Sequence, residues 1–315
     1  MRRSAPIALL VAVVVAVTAS SSQATVPGKN GRIVFKRYLR PNKVLGVIFT
    51  INPDGTGARQ VTHPPSRAAD DAPDWSPDGT RIAFRRERGA DGAIYTVRPD
   101  GSRLTRVSGA CCDENYAPAF SPDGRTVAFA RLDAGKWTIV SVARDGGNKR
   151  VLVSTGSRAA LDHPHLSPDG KRLAFVQGNL GRTPPKDGRA VFVMNVDGGG
   201  LSRVTPWQLH GGGNVDWSPD GHWILFRSNE ELDKQSQIYL VHPDGTGLKQ
   251  LTHFKPGMTA FSLGSFSPDG EWIVLAAGVV GANPDLYVMR SNGSGIHPIT
   301  RTKLWEFWPD WGPAR

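Results

Sequence analysis

The chain has 315 residues, with 38 Lys and Arg against 28 Asp and Glu, two cysteines and 39% hydrophobic residues. That is apolar enough to bury a core, which excludes wholesale disorder. Its 36 glycines and 24 prolines, almost a fifth of the chain, suit a turn-rich all-β protein and exclude a helix bundle.

The first segment reads as an export signal. Arg2 and Arg3 precede an unbroken apolar run from Ile7 to Val17, and Ser22-Gln23-Ala24 offers a small-x-small cleavage site. Eleven apolar residues are too few to cross roughly 30 Å of hydrocarbon as a helix. Residues 1–24 are therefore expected to be a cleaved signal peptide, the alternative being an uncleaved anchor, and residues 25–315 a single domain without a stable membrane span. The product is expected in the periplasm or cell envelope, or secreted. Removing Arg2 and Arg3 leaves a formal charge of +8 out of +10. The arginines are scattered over turns and strand edges. That points away from nucleic acid and toward solubility and attraction to anionic envelope polymers.

One phrase organises the rest. Trp75-Ser76-Pro77-Asp78-Gly79 recurs as Phe120 to Gly124, Leu166 to Gly170, Trp217 to Gly221 and Phe266 to Gly270, the glycines standing 45, 46, 51 and 49 residues apart. Proline pre-sets φ, Asp suits the third turn position and Gly accepts a positive φ, so each phrase is a tight turn, and one Asp per turn is too few oxygens for calcium. Alternating runs such as Ile82-Ala83-Phe84 follow, then a hairpin with Asp-Gly or Asn-Gly at its tip, as in Ile94 to Gly101 and Ile238 to Gly245, then a short closing strand. Each repeat is four antiparallel strands, A to D, which is one propeller blade. The opening Asn30 to Phe35 matches the second half of the phrase and the closing Pro309 to Gly312 its first half. Joined, they complete a sixth blade and leave no open edge. The expected fold is all-β: a six-bladed β-propeller of four-stranded antiparallel blades, closed by N- and C-terminal segments sharing one blade.

These residues resemble the TolB-type, WD-like β-propeller repeat, whose signature is x-Pro-x-Trp-Ser-Pro-Asp-Gly followed by Ile-Ala-Phe. The resemblance covers residues 28–312 and implies envelope scaffolding through protein contacts. TolB itself carries an α/β domain before its propeller, whereas only the signal is expected before residue 28 here. Similar repeats also form the propeller of prolyl oligopeptidases and the body of some polysaccharide lyases. The peptidase reading is set aside because no Gly-x-Ser-x-Gly elbow occurs and the chain ends inside the ring.

Strand order places the tight turns on one face and the variable B–C and D–A connections on the other, where binding residues are expected. Strand A is innermost, so the residues before each turn phrase should line the channel mouth. Aligned repeats give one ring of Asp71, Tyr116, Asp162, Gly213, Ser262 and Phe307, and a second of Ala72, Ala117, His163, Asn214, Leu263 and Trp308. The connections add Asp70, Glu114, Trp207, His210, Trp305 and Glu306. The expected ligand-binding set is Asp71, Tyr116, Asp162, His163, Trp207, His210, Asn214 and Trp308. It suits a monomeric, non-enzymatic scaffold that needs no cofactor and binds an envelope protein or an anionic cell-wall polymer. The alternative is a metal-assisted polysaccharide lyase or hydrolase at the same mouth, with Asp162, His163 and His210 as the donors a Zn²⁺ or Mn²⁺ ion would take. Cys111 and Cys112 lie on a D–A connection of an exported chain. A vicinal disulfide there would be strained and would stiffen the mouth.

Overall fold

The computed structural model describes residues 27–40, 45–89, 91–109, 114–156, 159–178, 188–228 and 235–315. Residues 1–24, the expected signal, and Cys111-Cys112 lie outside the described residues. Among the described residues the only helical piece is a 3-10 turn, Trp207–Leu209, and no helix is long and apolar enough to cross a membrane.

Four sheets have four strands each. The first joins β1 (Asn30–Tyr38), β2 (Gly46–Ile51) and β3 (Arg59–Gln60) to the last strand of the chain, β24 (Glu306–Pro313). An eight-stranded sheet follows. It is made of two antiparallel runs, β4 (Ala68–Trp75), β5 (Ile82–Arg88), β6 (Asp91–Val97), β7 (Thr105–Arg106) and then β8 (Glu114–Phe120), β9 (Thr126–Asp133), β10 (Lys136–Ala143), β11 (Arg150–Gly156). A single parallel pair, Gly92 with Glu114, joins the two runs. The remaining sheets are β12 (Leu161–Leu166), β13 (Arg172–Gly178), β14 (Arg189–Asn195), β15 (Ser202–Arg203); β16 (Gly211–Trp217), β17 (Ile224–Ser228), β18 (Ile238–Val241), β19 (Lys249–Gln250); and β20 (Met258–Phe266), β21 (Trp272–Val279), β22 (Asp285–Arg290), β23 (His297–Pro298).

The arrangement is that of a propeller. The strands that open each run touch in a closed cycle, β24 to β4, β8, β12, β16, β20 and back to β24. Each hydrophobic cluster straddles two neighbouring runs. One joins Ile33, Phe35 and Trp311 to Val274, Ala276 and Leu286; another joins Val34 and Ile48 to Ile82 and Phe84.

Local chemistry explains why the strands turn where they do. In the turn after β4, Ser76 Oγ donates to Asp78 Oδ1 at 2.7 Å and accepts the Arg81 N–H at 2.8 Å, with Gly79 at φ +63°. Asp78 Oδ1 also accepts the Thr80 N–H at 2.9 Å, so this carboxylate is committed to the turn. The same serine–aspartate bond recurs at Ser121, Ser167, Ser218 and Ser267. A second clip closes the outer strands. Hydroxyls of Thr62, Ser108, Thr205, Thr252 and Thr300 accept the N–H of Ile48, Ile94, Val191, Ile238 and Leu286, each fourteen residues earlier. These outer strands are two residues long, whereas β11 runs for seven.

Candidate functional site

The inner strands are not regular. β4, β8, β12, β16, β20 and β24 each slip register near the middle, between Asp71 and Asp74, Tyr116 and Ala119, Asp162 and His165, Gly212 and Val215, Leu263 and Phe266, and Phe307 and Asp310. Ala72, Ala117, His163 and Trp308 sit at these slips with φ of +44° to +47°, and Asn214 at +139°. Four of the five precede proline, which ordinarily pushes its neighbour into extended backbone, so strain is stored at the ring's centre. The bulges aim their residues at a narrow cavity bordered by all six inner strands. It is lined by His163, Asn214 and Trp308, and more deeply by Asp74, His165, Asp216 and Asp310.

The residues expected from sequence divide accordingly. His163, Asn214 and Trp308 share the cavity. Asp71, Tyr116 and Asp162 stand beside them at the same bulges. Asp71 is buried with Lys36 Nζ and Arg85 Nη1 each 3.5 Å away. Tyr116 donates to Glu114 and lies under the Arg85 guanidinium; burial, then Glu114, push its phenol up to about 12. Asp162 Oδ1 accepts the His163 N–H at 2.9 Å, and its Oδ2 is 3.2 Å from His163 Nδ1. Burial opposes ionisation of Asp162, yet His163 and Arg189 hold its carboxyl below the usual range.

Trp207 and His210 line no part of this cavity. Trp207 packs on Phe192 with Arg203 over its ring, and His210 caps the 3-10 turn at φ +45°. Leu263 turns into the hydrophobic core, and Gly264 and Ser265 line the channel in its place. Asp70 and Glu306 are fully buried ion-pair partners of Arg86 and Arg37. Among the described residues no group of three His, Cys, Asp or Glu is placed to hold a metal ion.

The throat was missed by aligning only as far as the residue before each proline. One residue beyond the proline position stand Asp74, Ala119, His165, Asp216, Ser265 and Asp310. Three of these are aspartates that reach to the next inner strand. Oδ2 of Asp74, Asp216 and Asp310 accepts the N–H of Phe120, Phe266 and Trp75 at 2.7, 2.8 and 2.7 Å. His165 lies between two of them, Nδ1 3.5 Å from Asp216 Oδ1 and Nε2 3.8 Å from Asp74 Oδ1. Burial, with His163 beside it, pushes the His165 imidazole down to about 4, so it is neutral at pH 7. Burial raises both Asp74 and Asp310, and the Asp310 charge adds to the rise at Asp74.

This has a measurable consequence. A raised folded-state carboxyl pKa means that, above the unfolded value near 3.9, the native state binds the proton more tightly. Stability therefore falls as pH rises through the interval between the two values. In Asp310→Asn the amide oxygen can still accept the Trp75 N–H but carries no charge. We expect it to be more stable than the parent at pH 8 by on the order of 1 kcal/mol, since one unit of carboxyl shift corresponds to about 1.4 kcal/mol. The gain should vanish toward pH 4. Urea unfolding at pH 8, 6 and 4 reads it, and a gain independent of pH would refute the assignment.

Known proteins resemble this geometry. The TolB β-propeller domain family matches residues 42–182. A TolB homolog protein of Chlorobium luteolum is 33% identical over 149 residues, 47% of this chain and 30% of that one. An uncharacterized peptidase of Bacillus subtilis is 29% identical over 118 residues, 37% of this chain and 17% of that one. The chain thus matches less than a third of the length of either relative. The crystal structure of TolB from Acinetobacter baumannii superposes with a TM-score of 0.74 at 20% identity, covering 92% of this chain and 68% of that chain, a likeness of fold. With the repeated turn phrase, the bulged inner strands and their closed cycle, these matches support a TolB-type β-propeller.

Proposed function

We propose that this chain is an exported, monomeric six-bladed propeller that works without catalysis, binding an envelope protein or anionic cell-wall polymer at the mouth on its variable-loop face. The six-blade reading counts the two runs of the eight-stranded sheet separately, and it is supported by the single parallel pair that joins them among the described residues. The reading is carried by one observation: strained bulges on separate inner strands hold His163, Asn214 and Trp308 around a single cavity. Rigid presentation of side chains from a closed ring suits recognition, and specificity would come from Asp71, Tyr116 and Asp162 beside them. Trp207 and His210 would meet only a ligand that extends beyond the channel. A metal-assisted lyase or hydrolase would need a third donor beside Asp162 and His163, and His210 does not join them at the cavity.

The test is a pull-down from the envelope fraction of producing cells with residues 25–315, compared with Asp162→Ala/His163→Ala/Trp308→Ala. Capture by the parent and its loss in the variant is expected. Equal capture by both would place the working face elsewhere.

A further inference from the structure

A wall of aromatic rings stands beside the cavity. Phe307 meets Tyr38 and Phe261 edge-on, with ring centres 6.2 Å away in each case, and stacks on Trp305 at 5.6 Å. Trp305 in turn meets Phe261 edge-on at 6.0 Å. Trp308, 6.0 Å from Phe307, carries the wall to the cavity lining. Lys36 Nζ sits over Tyr38 at 4.5 Å and over Trp308 at 4.9 Å. The backbone fixes the assembly. Tyr38 N–H donates to Trp305 O at 3.0 Å, which ties the end of β1 to the approach to β24, and Phe261 comes from β20 of the neighbouring run. All five rings are partly exposed, and none belongs to the hydrophobic clusters between the runs. Packing between blades therefore does not account for them, and a contiguous exposed apolar surface rimmed by polar groups marks an interaction site.

The rim of this wall is cationic. It stands on the variable-loop face, among the β1–β2, β19–β20 and β23–β24 connections. Among the described residues, the exposed charged side chains of those connections are Arg40, Lys255, Arg301 and Lys303. Arg40 follows Tyr38 by two residues and Lys303 precedes Trp305 by two, so both flank the bonded pair. The nearby carboxylates are already engaged: Glu306 is fully buried against Arg37, and Asp285 Oδ1 accepts the Thr302 N–H at 2.9 Å.

We propose that this wall binds an acidic polysaccharide chain, whose sugar rings lie on Trp305, Phe307 and Trp308 while Arg40 and Lys303 meet its carboxylates. The C–H face of a sugar ring is apolar and slightly positive, which suits the negative face of an aromatic ring. The sugar's hydroxyls need donors and acceptors at its edge, and Asn214, which lines the cavity with Trp308, carries both. Protein anchors sit in pockets that enclose them, whereas these rings stand beside a narrow cavity and suit a flat partner. The inference rests on the mouth being the binding face and narrows that reading to one class of ligand.

The test uses residues 25–315 in calorimetric titrations with two acidic probes, a mannuronate hexamer and a galacturonate hexamer. Cellohexaose is the neutral control, and a blocked hexaglutamate peptide is the control for charge without sugar. At least one acidic hexamer is expected to bind, with both controls at least tenfold weaker. Arg40→Gln/Lys303→Gln should weaken binding about tenfold, the equivalent of about 1.4 kcal/mol, and leave the melting temperature within about 2 °C of the parent, because both side chains are exposed. Trp305→Ala should weaken binding at least as much and Trp305→Phe should restore most of it. Should Trp305→Ala fail to fold, the charge variant decides. No binding of either acidic hexamer by the parent at millimolar concentration, hexaglutamate binding as well as the hexamers, or parental affinity in the charge variant would each overturn the proposal. If the parent captures a protein that the Asp162→Ala/His163→Ala/Trp308→Ala variant loses, and neither hexamer binds, the mouth remains the binding face and only the polysaccharide assignment falls.

Discussion

Removing residues 305–315 should abolish cooperative unfolding of the whole ring. Those residues contain β24, which pairs with β1 and also touches β20 and β4. Bonds to neighbouring runs go with it, among them Trp308 N–H to Ser262 Oγ, Trp311 N–H to Ser265 Oγ, and Trp75 N–H to Asp310 Oδ2. Arg37 loses Glu306, whose side chain is fully buried against it. Removing one partner of a buried ion pair costs about 3–5 kcal/mol, and deleting a core tryptophan such as Trp311 a similar amount. Those two losses rival the ~5–15 kcal/mol that holds an ordinary domain together. Edge exposure adds a second hazard, because β1 would then offer an unpaired backbone row for aggregation. Circular dichroism melting of the shortened chain is the measurement. A repeat protein whose units fold independently would keep a cooperative transition within about 5 °C of the parent, and that outcome would show that closure is not what holds the ring.

The parts of this architecture legible in sequence are those whose chemistry is local. Ser76, Asp78 and Gly79 close their turn within five residues, so the phrase announces the turn wherever it occurs. The pairing of β24 with β1 was readable because each chain end repeats one half of the same phrase. The throat was not, because the bulges break the alternation on which strand reading depends. A left-handed residue before Pro73, Pro118, Pro164 or Pro309 defies the usual preference of that position, and it shifts which later residue faces the axis. Asp74, His165, Asp216 and Asp310 thereby became the channel wall, and Leu263 went to the core. Asp70 and Glu306 looked like mouth residues because they border connections, yet their partners Arg86 and Arg37 lie on the adjacent strand. Trp207 and His210 were displaced by the 3-10 turn, whose Trp207 packs against Phe192.

Asp70→Ala should be among the most costly single substitutions in the chain, although Asp70 sits at the edge of a connection. Its carboxylate takes both ends of one guanidinium, Arg86 Nε to Oδ1 at 2.6 Å and Nη2 to Oδ2 at 2.7 Å. The Asp70 side chain is fully buried and that of Arg86 is 10% exposed. Arg86 also lies over the rings of Phe84 and Tyr95, so it cannot swing to water without uncovering both. Removing Asp70 leaves a buried cation without its counter-charge, which costs about 3–5 kcal/mol. Adding Arg86→Met should recover most of that loss, because an apolar side chain of similar length needs no partner. Glu271→Ala provides the contrast. The Arg290–Glu271 pair is 3.0 Å long but 47% and 63% exposed, and its loss should cost less than about 1 kcal/mol. Urea unfolding of the four proteins, parent included, decides the matter. If Asp70→Ala costs no more than Glu271→Ala, the pair does not stabilise the fold. If the double variant is no better than Asp70→Ala alone, the loss lies in packing around Asp70 and not in the orphaned charge.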